Sequence, residues 1–237
     1  LTLGAWNEVP LAARFVAALN TIAARGGEVR TGQRVTRILR DGDGVTGVET
    51  AERAWTADAG VLATALRPAQ VLVREAFGDD PWFRPMLRLE TLSAVTFQCE
   101  LSEPAFATAH RHFSNSGVAC FAEESHTASR EWPGRLPTIL FPPAEFLAMD
   151  DDRVRASAVD DLETIGVRVR DRITRWRVVR HPHDFYAMQK GSERLRPHQA
   201  TPIPGFALAG DYTKQPFLAS MEGAAIAGVA AAEAILS

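Results

Sequence analysis

Gly210 and Asp211 close a short apolar run, Phe206 to Ala209, and Ser220-Met221-Glu222-Gly223-Ala224 opens a small-residue helix soon after. A carboxylate at such a strand end can accept hydrogen bonds from ribose or ribityl hydroxyls. The unpaired N–H groups of a helix's first turn can face an anionic or electron-rich edge. Gly223, Ala224, Ala225, Ala227 and Gly228 let other groups approach the backbone closely. Together these features suit a flavin dinucleotide. An Ala-rich helix packed on a sheet would account for Ala224 to Ile235. It would leave the Gly-Asp loop and Ser-Met-Glu-Gly unexplained.

Other chemistry-bearing residues give less. Gly42, Gly44 and Gly47 spell a G-x-G-x-x-G, but between two alternating strands rather than before a helix, so they read as a turn. His110 with His112, and His181 with His183, lack converging ligands, so no metal site is expected. No G-x-S-x-G elbow is present, and nucleophilic hydrolysis has no support. Arg194, Arg196 and His198 form either a solvated loop or a cationic rim beside a ligand.

The elements that must hold these residues follow from periodicity. Apolar residues at 11, 15, 16, 19, 22 and 23 give a helix over 11–24, ended by Gly26-Gly27. Glu28 to Arg30 reads as a short strand. Arg34 to Arg40, Val45 to Thr50 and Arg53 to Thr56 read as an antiparallel meander, and Ala59 to Thr64 as a buried strand. A helix spans Pro68 to Phe77. Strands follow at Leu92 to Leu101, Gly117 to Ala122, Leu136 to Phe141 and Ile173 to Arg180, with one helix among them at 150–166 capped by its Asp run. Met188 to Gly205, with three prolines, is an irregular connection. Among the middle aromatics, Trp82, Phe83, Phe97, Phe106, Phe113, Phe121, Trp132, Phe141 and Phe146, most are expected in a core, and some could line an apolar pocket.

The chain has 237 residues, with 46% hydrophobic and 23% charged residues, ordinary for a globular protein. The net charge of -3 argues against a nucleic-acid surface. Cys99 and Cys120 sit in apolar runs and read as buried free thiols. No stretch approaches the roughly 20 apolar residues of a membrane span. Leu1 begins mid-pattern, without a signal peptide or initiator Met, so residue 1 is not expected to be the natural start.

AGDYTKQ with LASMEGA closely resembles the C-terminal flavin motif of the phytoene and ζ-carotene desaturases, within the flavin amine oxidase superfamily. VVRHPHDFYAMQKGSERLRPHQATPIPGF upstream keeps that family's order, and LAARFVAALNTIAARGGEVRTGQRVTRIL and DAGVLATAL resemble its segments near the start. The middle, from about Arg67 to Thr174, carries little of the likeness. The resemblance implies an α/β fold: the C-terminal portion of a Rossmann-like FAD-binding domain plus a mixed or antiparallel-sheet substrate domain. It divides the chain at 1–66, 67–200 and 201–237, the outer two belonging to the FAD domain. It implies that Val35 meets adenine through its backbone. Gly210 and Asp211 would lie at the pyrophosphate and ribityl chain. The Met221 N–H would face the flavin pyrimidine edge, with Glu222, Gly223 and Ala224 beside it. Leu218 would border the substrate cavity, and Tyr186 and Arg196 would lie near the site. In that family FAD takes hydride from an apolar isoprenoid polyene and a quinone re-oxidises it, so no catalytic side chain is assigned. The family's Gly-rich phosphate loop is not in this sequence. The chain is therefore expected to be a fragment, or a paralogue that lost the loop, and to hold no stoichiometric flavin alone. Rival readings are an amine- or other lipid-oxidising relative and a non-catalytic flavoprotein-like module. Self-association through an open sheet edge, peripheral membrane contact and a cytoplasmic location complete the expectations.

Overall fold

The computed structural model describes residues 11–42, 44–126, 133–217 and 219–237. They group into two units. One comprises Arg30–Leu92 and His183–Ser237; the other comprises Ser93–Pro182 with the stretch through Val29. The boundaries at 92/93 and 182/183 fall within strands, and the one at 29/30 follows a helix in an irregular stretch.

In the first unit, β1 (Val35–Asp41), β2 (Gly44–Thr50) and β3 (Ala54–Thr56) form an antiparallel meander. The glycines of 42–47 thus lie on a hairpin, with Asp41 opposite Gly44 and Gly47 opposite Leu39. A Cβ on Gly47 would collide with the Trp55 carbonyl, so close strand approach requires this glycine. β4 (Gly60–Leu62) pairs in parallel with β10 (Phe206–Leu208), Val61 opposite Ala207. Ala200 bridges the other side of Ala207. Among the described residues no strand pairs with the second edge of β4.

The helices of this unit are α2 (Leu66–Phe77), α3 (Arg84–Leu87) and α6 (Met221–Leu236). α2 buries Leu66, Ala69, Leu72, Val73 and Phe77 along one face, the i, i+3, i+4 stripe of an amphipathic helix. Phe77 stacks on Phe83 with centroids 4.8 Å apart, and both approach Phe206. Truncating buried Phe83 to alanine would cost about 3–5 kcal/mol. Gln70, also buried, donates to the Met86 and Leu89 carbonyls at 2.9 and 2.8 Å and so ties α2 to the end of α3. α6 lays Ala227 and Ala231 inward, and Ala231 packs with Ala207 and Ala209; small residues set the close approach.

The second unit is built on a five-stranded sheet in the order β6-β7-β8-β5-β9. These are β5 (Thr91–Leu101), β6 (Arg111–Phe113), β7 (Val118–Ala122), β8 (Gly134–Leu140) and β9 (Ile173–Tyr186). Alternation puts Val95, Phe97, Cys99 and Leu101 of β5 into one core with Leu136 and Leu140. α5 (Asp151–Thr164) contributes Val154, Ala158, Val159 and Leu162 to it, and α4 (Pro143–Leu147) contributes Phe146. The Asp150 carboxylate caps α5 by accepting from the Arg153 N–H at 2.8 Å. Glu163, near its C-terminal end, accepts from the Arg170 and Val169 N–H groups and from Arg168. α1 (Leu11–Ala24) leaves Phe15, Val16, Leu19 and Ile22 exposed.

Several elements differ from the sequence reading. Glu28 to Arg30 is no strand: the backbone there is irregular, and among the described residues no strand pairs with it. β9 runs past Pro182 to Tyr186; an edge strand tolerates a residue with no N–H to donate. β6, α3 and α4 are short elements that periodicity does not reveal. The middle aromatics divide: Phe83, Phe97, Phe121 and Phe146 are buried, whereas Phe113 is 76% and Phe141 62% exposed. Trp132 lies outside the described residues.

Candidate functional site

The site is assembled where β10 ends. Ala209 donates its N–H to Leu62 at 3.0 Å, and the chain then turns at Gly210, whose φ of +151° lies outside the range ordinary residues favour. The turn closes when the Thr213 N–H and hydroxyl both donate to the Gly210 carbonyl, at 3.1 and 2.9 Å. It brings Tyr212 into the core and leaves Asp211 half-buried beside it.

Burial pushes the Asp211 carboxyl up from its ordinary range, and Asp184 adds to that. The Tyr212 N–H, Asp211's own N–H and the Arg196 charge act in the opposite direction without cancelling the burial effect. Asp211 is therefore an acceptor with local N–H support and only partial solvation. Its neighbour Tyr212 is fully buried, and its hydroxyl finds no hydrogen-bond partner among the described residues. Burial raises that phenol strongly.

Arg196 is 5% exposed and points behind this loop. It donates to the carbonyls of Asp211 at 3.3 Å, Tyr212 at 3.4 Å and Gln215 at 3.5 Å, and to that of Thr213. Glu193 holds its remaining end at 2.7 Å. The guanidinium lies over the buried Tyr186 ring, 5.1 Å from its centroid. Gln199 grips the same loop, donating to Thr213 Oγ1 at 3.0 Å and to the Lys214 carbonyl at 2.6 Å. Gln215 joins the loop to α6: its amide donates to the Asp211 carbonyl at 3.0 Å and accepts from the Phe217 N–H at 2.6 Å. The same amide rests against Gly223, where a Cβ would overlap it.

α6 begins with Ser220 as N-cap, whose hydroxyl oxygen accepts from the Gly223 N–H at 3.1 Å. The Ala224 N–H is taken by the Ser220 carbonyl. The N–H groups of Met221 and Glu222 belong to the first turn, where the helix offers no acceptor. Both residues are exposed, Met221 by 50%. The donor set fits a flavin dinucleotide: a supported carboxylate acceptor at Asp211 and accessible first-turn N–H groups on a 16-residue helix.

The structure brings Gly210, Asp211, Gly223, Arg196 and Tyr186 into one connected cluster. Glu222 and Ala224 flank Gly223 at the helix start. Arg196 and Tyr186 are buried behind the loop instead of lining an open cavity. Val35 is half-buried at the start of β1 and lines an apolar cavity of about 220 Å³ with Ile38, Val45, Val48, Trp55 and Phe206. Leu218 lies outside the described residues. Arg194 and His198 are exposed, as in the solvated-loop alternative, with His198 3.3 Å from the Lys214 amine, whereas Arg196 is buried. Gln199, Thr213 and Gln215 were not readable as site residues, because their partners are main-chain carbonyls.

The remaining candidates have structural roles. His183 Nδ1 lies 2.7 Å from the Thr91 hydroxyl, and His110 bonds Thr108. His112 packs in a cluster of three rings with Phe106 and Phe121. Cys99 and Cys120 are buried free thiols, and burial raises Cys99 to about 12. Among the described residues no three His, Cys, Asp or Glu group to hold a metal ion, and no helix is long and apolar enough to cross a membrane.

Residues 11–236 match the model of the flavin containing amine oxidoreductases. The chain is 29% identical over 228 residues to the 15-cis-phytoene desaturase of Solanum lycopersicum, covering 91% of this chain and 39% of that protein. It is 28% identical over 234 residues to the 15-cis-phytoene desaturase of Synechococcus elongatus, covering 91% and 49%. It thus spans less than half the length of these relatives. An oxidoreductase from Methanosarcina mazei shares the fold with a TM-score of 0.70 at 21% identity, over 92% of this chain and 53% of that one. With a strand-end carboxylate beside an open helix N-terminus, and a match running through nearly every described element, the chain belongs to the flavin containing amine oxidoreductase family.

Proposed function

We propose that the chain is the C-terminal part of an FAD-dependent desaturase that oxidises an apolar polyene, a carotenoid or related isoprenoid. The observation that carries this reading is the similarity to two phytoene desaturases across 91% of the chain. When bound, FAD supplies hydride-accepting chemistry, with a quinone as the final electron sink. The chain's own residues bind and orient. Asp211 accepts hydrogen bonds from the cofactor's hydroxyls. The Met221 and Glu222 N–H groups face its electron-rich edge, and the absence of side chains at Gly223 keeps the Gln215 amide against α6. Val35 meets the adenine end.

The pyrophosphate needs a further set of N–H donors, which a Gly-rich loop supplies at a helix N-terminus. This chain alone therefore retains little FAD. The open edge of β4 suits a parallel strand leading into such a loop, or a second copy of this chain. An amine-oxidising activity is the competing reading within the family.

The test uses protein purified with whatever sequence precedes residue 1 in its gene. It is supplied with phytoene or with a primary amine, under quinone or under oxygen. Lengthening of the polyene chromophore with phytoene and quinone supports the proposal. Turnover of the amine in place of phytoene contradicts it.

A further inference from the structure

Arg196 has no obvious reason to be buried. A guanidinium taken out of water is costly unless its donors are satisfied. Here one carboxylate, Glu193, and four main-chain carbonyls satisfy them, and all four carbonyls belong to residues 211–215. A planar fork with five donors can serve several acceptors at once, which an ammonium cannot match. The ring of Tyr186 backs the guanidinium and limits its movement.

One of these contacts reaches the cofactor side. The peptide between Asp211 and Tyr212 is planar and trans, so its carbonyl and its N–H point in opposite directions. Its carbonyl is held from within by Arg196 at 3.3 Å and by Gln215 at 3.0 Å. One residue on, the Thr213 N–H closes the turn onto the Gly210 carbonyl at 3.1 Å. Rotating the peptide would break its carbonyl contacts.

We infer that Arg196 is a positioning residue: it holds the Asp211 carbonyl together with those of Tyr212, Thr213 and Gln215, and so fixes the turn from which the Asp211 carboxylate projects. The inference rests on reading Asp211 as a cofactor-binding group, and it adds that the binding geometry is set from behind the loop. Gln199 completes the clamp one residue further on, at Thr213 and Lys214. A guanidinium that only stabilised the fold would not need to converge on this one turn.

Arg196→Lys keeps the charge and loses the fork. Amide hydrogen exchange of the chain, followed residue by residue, reads the consequence without any ligand. Exchange at Thr213 should accelerate about tenfold, while Leu208 and Ala209 of the β10–β4 ladder change little. If Arg196→Lys does not fold, Gln215→Ala loosens the same carbonyl from the other side, with about a threefold acceleration. Unchanged exchange at Thr213 in a folded variant, or equal acceleration throughout the unit, overturns the inference.

Titration with FAD supplies the second arm. Arg196→Lys should weaken FAD binding about tenfold, the effect of one charge-assisted hydrogen bond. In Asp211→Asn the same change should have almost no further effect, since Arg196 acts through Asp211. Additive losses in the double variant overturn the inference. Failure of the wild-type protein to bind FAD, even with its upstream sequence, instead overturns the cofactor reading. The exchange result then still decides whether Arg196 holds the Asp211 peptide.

Discussion

The ring of Tyr212 occupies the space that a side chain on Gly210 would need: a Cβ at 210 would lie 2.5 Å from the ring. The two residues are a matched pair. The glycine lets the backbone turn at a φ of +151°, and the turn drops the tyrosine into the core beside it. Asp211 stands between them, so its exposure follows from both.

Gly210→Ala should therefore cost more than a loop substitution usually does. Backbone strain and the steric overlap together put the expected loss at about 1–3 kcal/mol. Chemical denaturation measures it. Gly228→Ala, where a Cβ meets nothing within 4 Å, is the control and should be neutral or mildly stabilising.

Asp211→Asn should separate stability from binding. Burial raises the Asp211 carboxyl, so its folded pKa lies above its unfolded one. Below the unfolded value, both states are protonated and the carboxyl imposes no ionisation cost. As pH rises through the raised folded pKa, the cost of the half-buried charge becomes complete. The variant should match wild type near pH 3 and melt a few degrees higher at pH 7, while binding FAD more weakly. Thermal melts across that range check the first part, and FAD titration checks the second.

Glu163 should show the opposite pH dependence. The Arg170 N–H, the Arg168 guanidinium and the Val169 N–H hold its carboxyl at about 2. Its stabilisation is present above the unfolded pKa and disappears as pH falls through the folded value. Glu163→Gln should lower the melting temperature at pH 7, and the gap should close between roughly pH 4.5 and 2. A gap independent of pH would contradict the assignment.

The sequence announces this site unevenly. The small residues that follow Ser220 are a local feature, and the structure starts α6 at Met221, where the sequence opens a helix. The β1–β2–β3 meander is equally legible, because three short strand-like runs are separated by polar turns. The direction of Arg196 is not. In a Pro-rich loop with Arg194 and His198 it reads equally as solvated or as part of a cationic rim, and its main-chain acceptors lie 15–19 positions later in the chain. β9 is cut short in a sequence reading because Pro182 stops a central strand, and only the sheet order reveals that β9 lies at an edge.

The most direct test of the central claim is anaerobic reduction of the bound flavin in protein carrying this chain with its natural upstream sequence. Phytoene should bleach the visible absorption of the oxidised flavin, and Asp211→Asn should reduce the amount of flavin bound. Bleaching by a primary amine with none by phytoene, or full flavin occupancy in Asp211→Asn, would contradict the account.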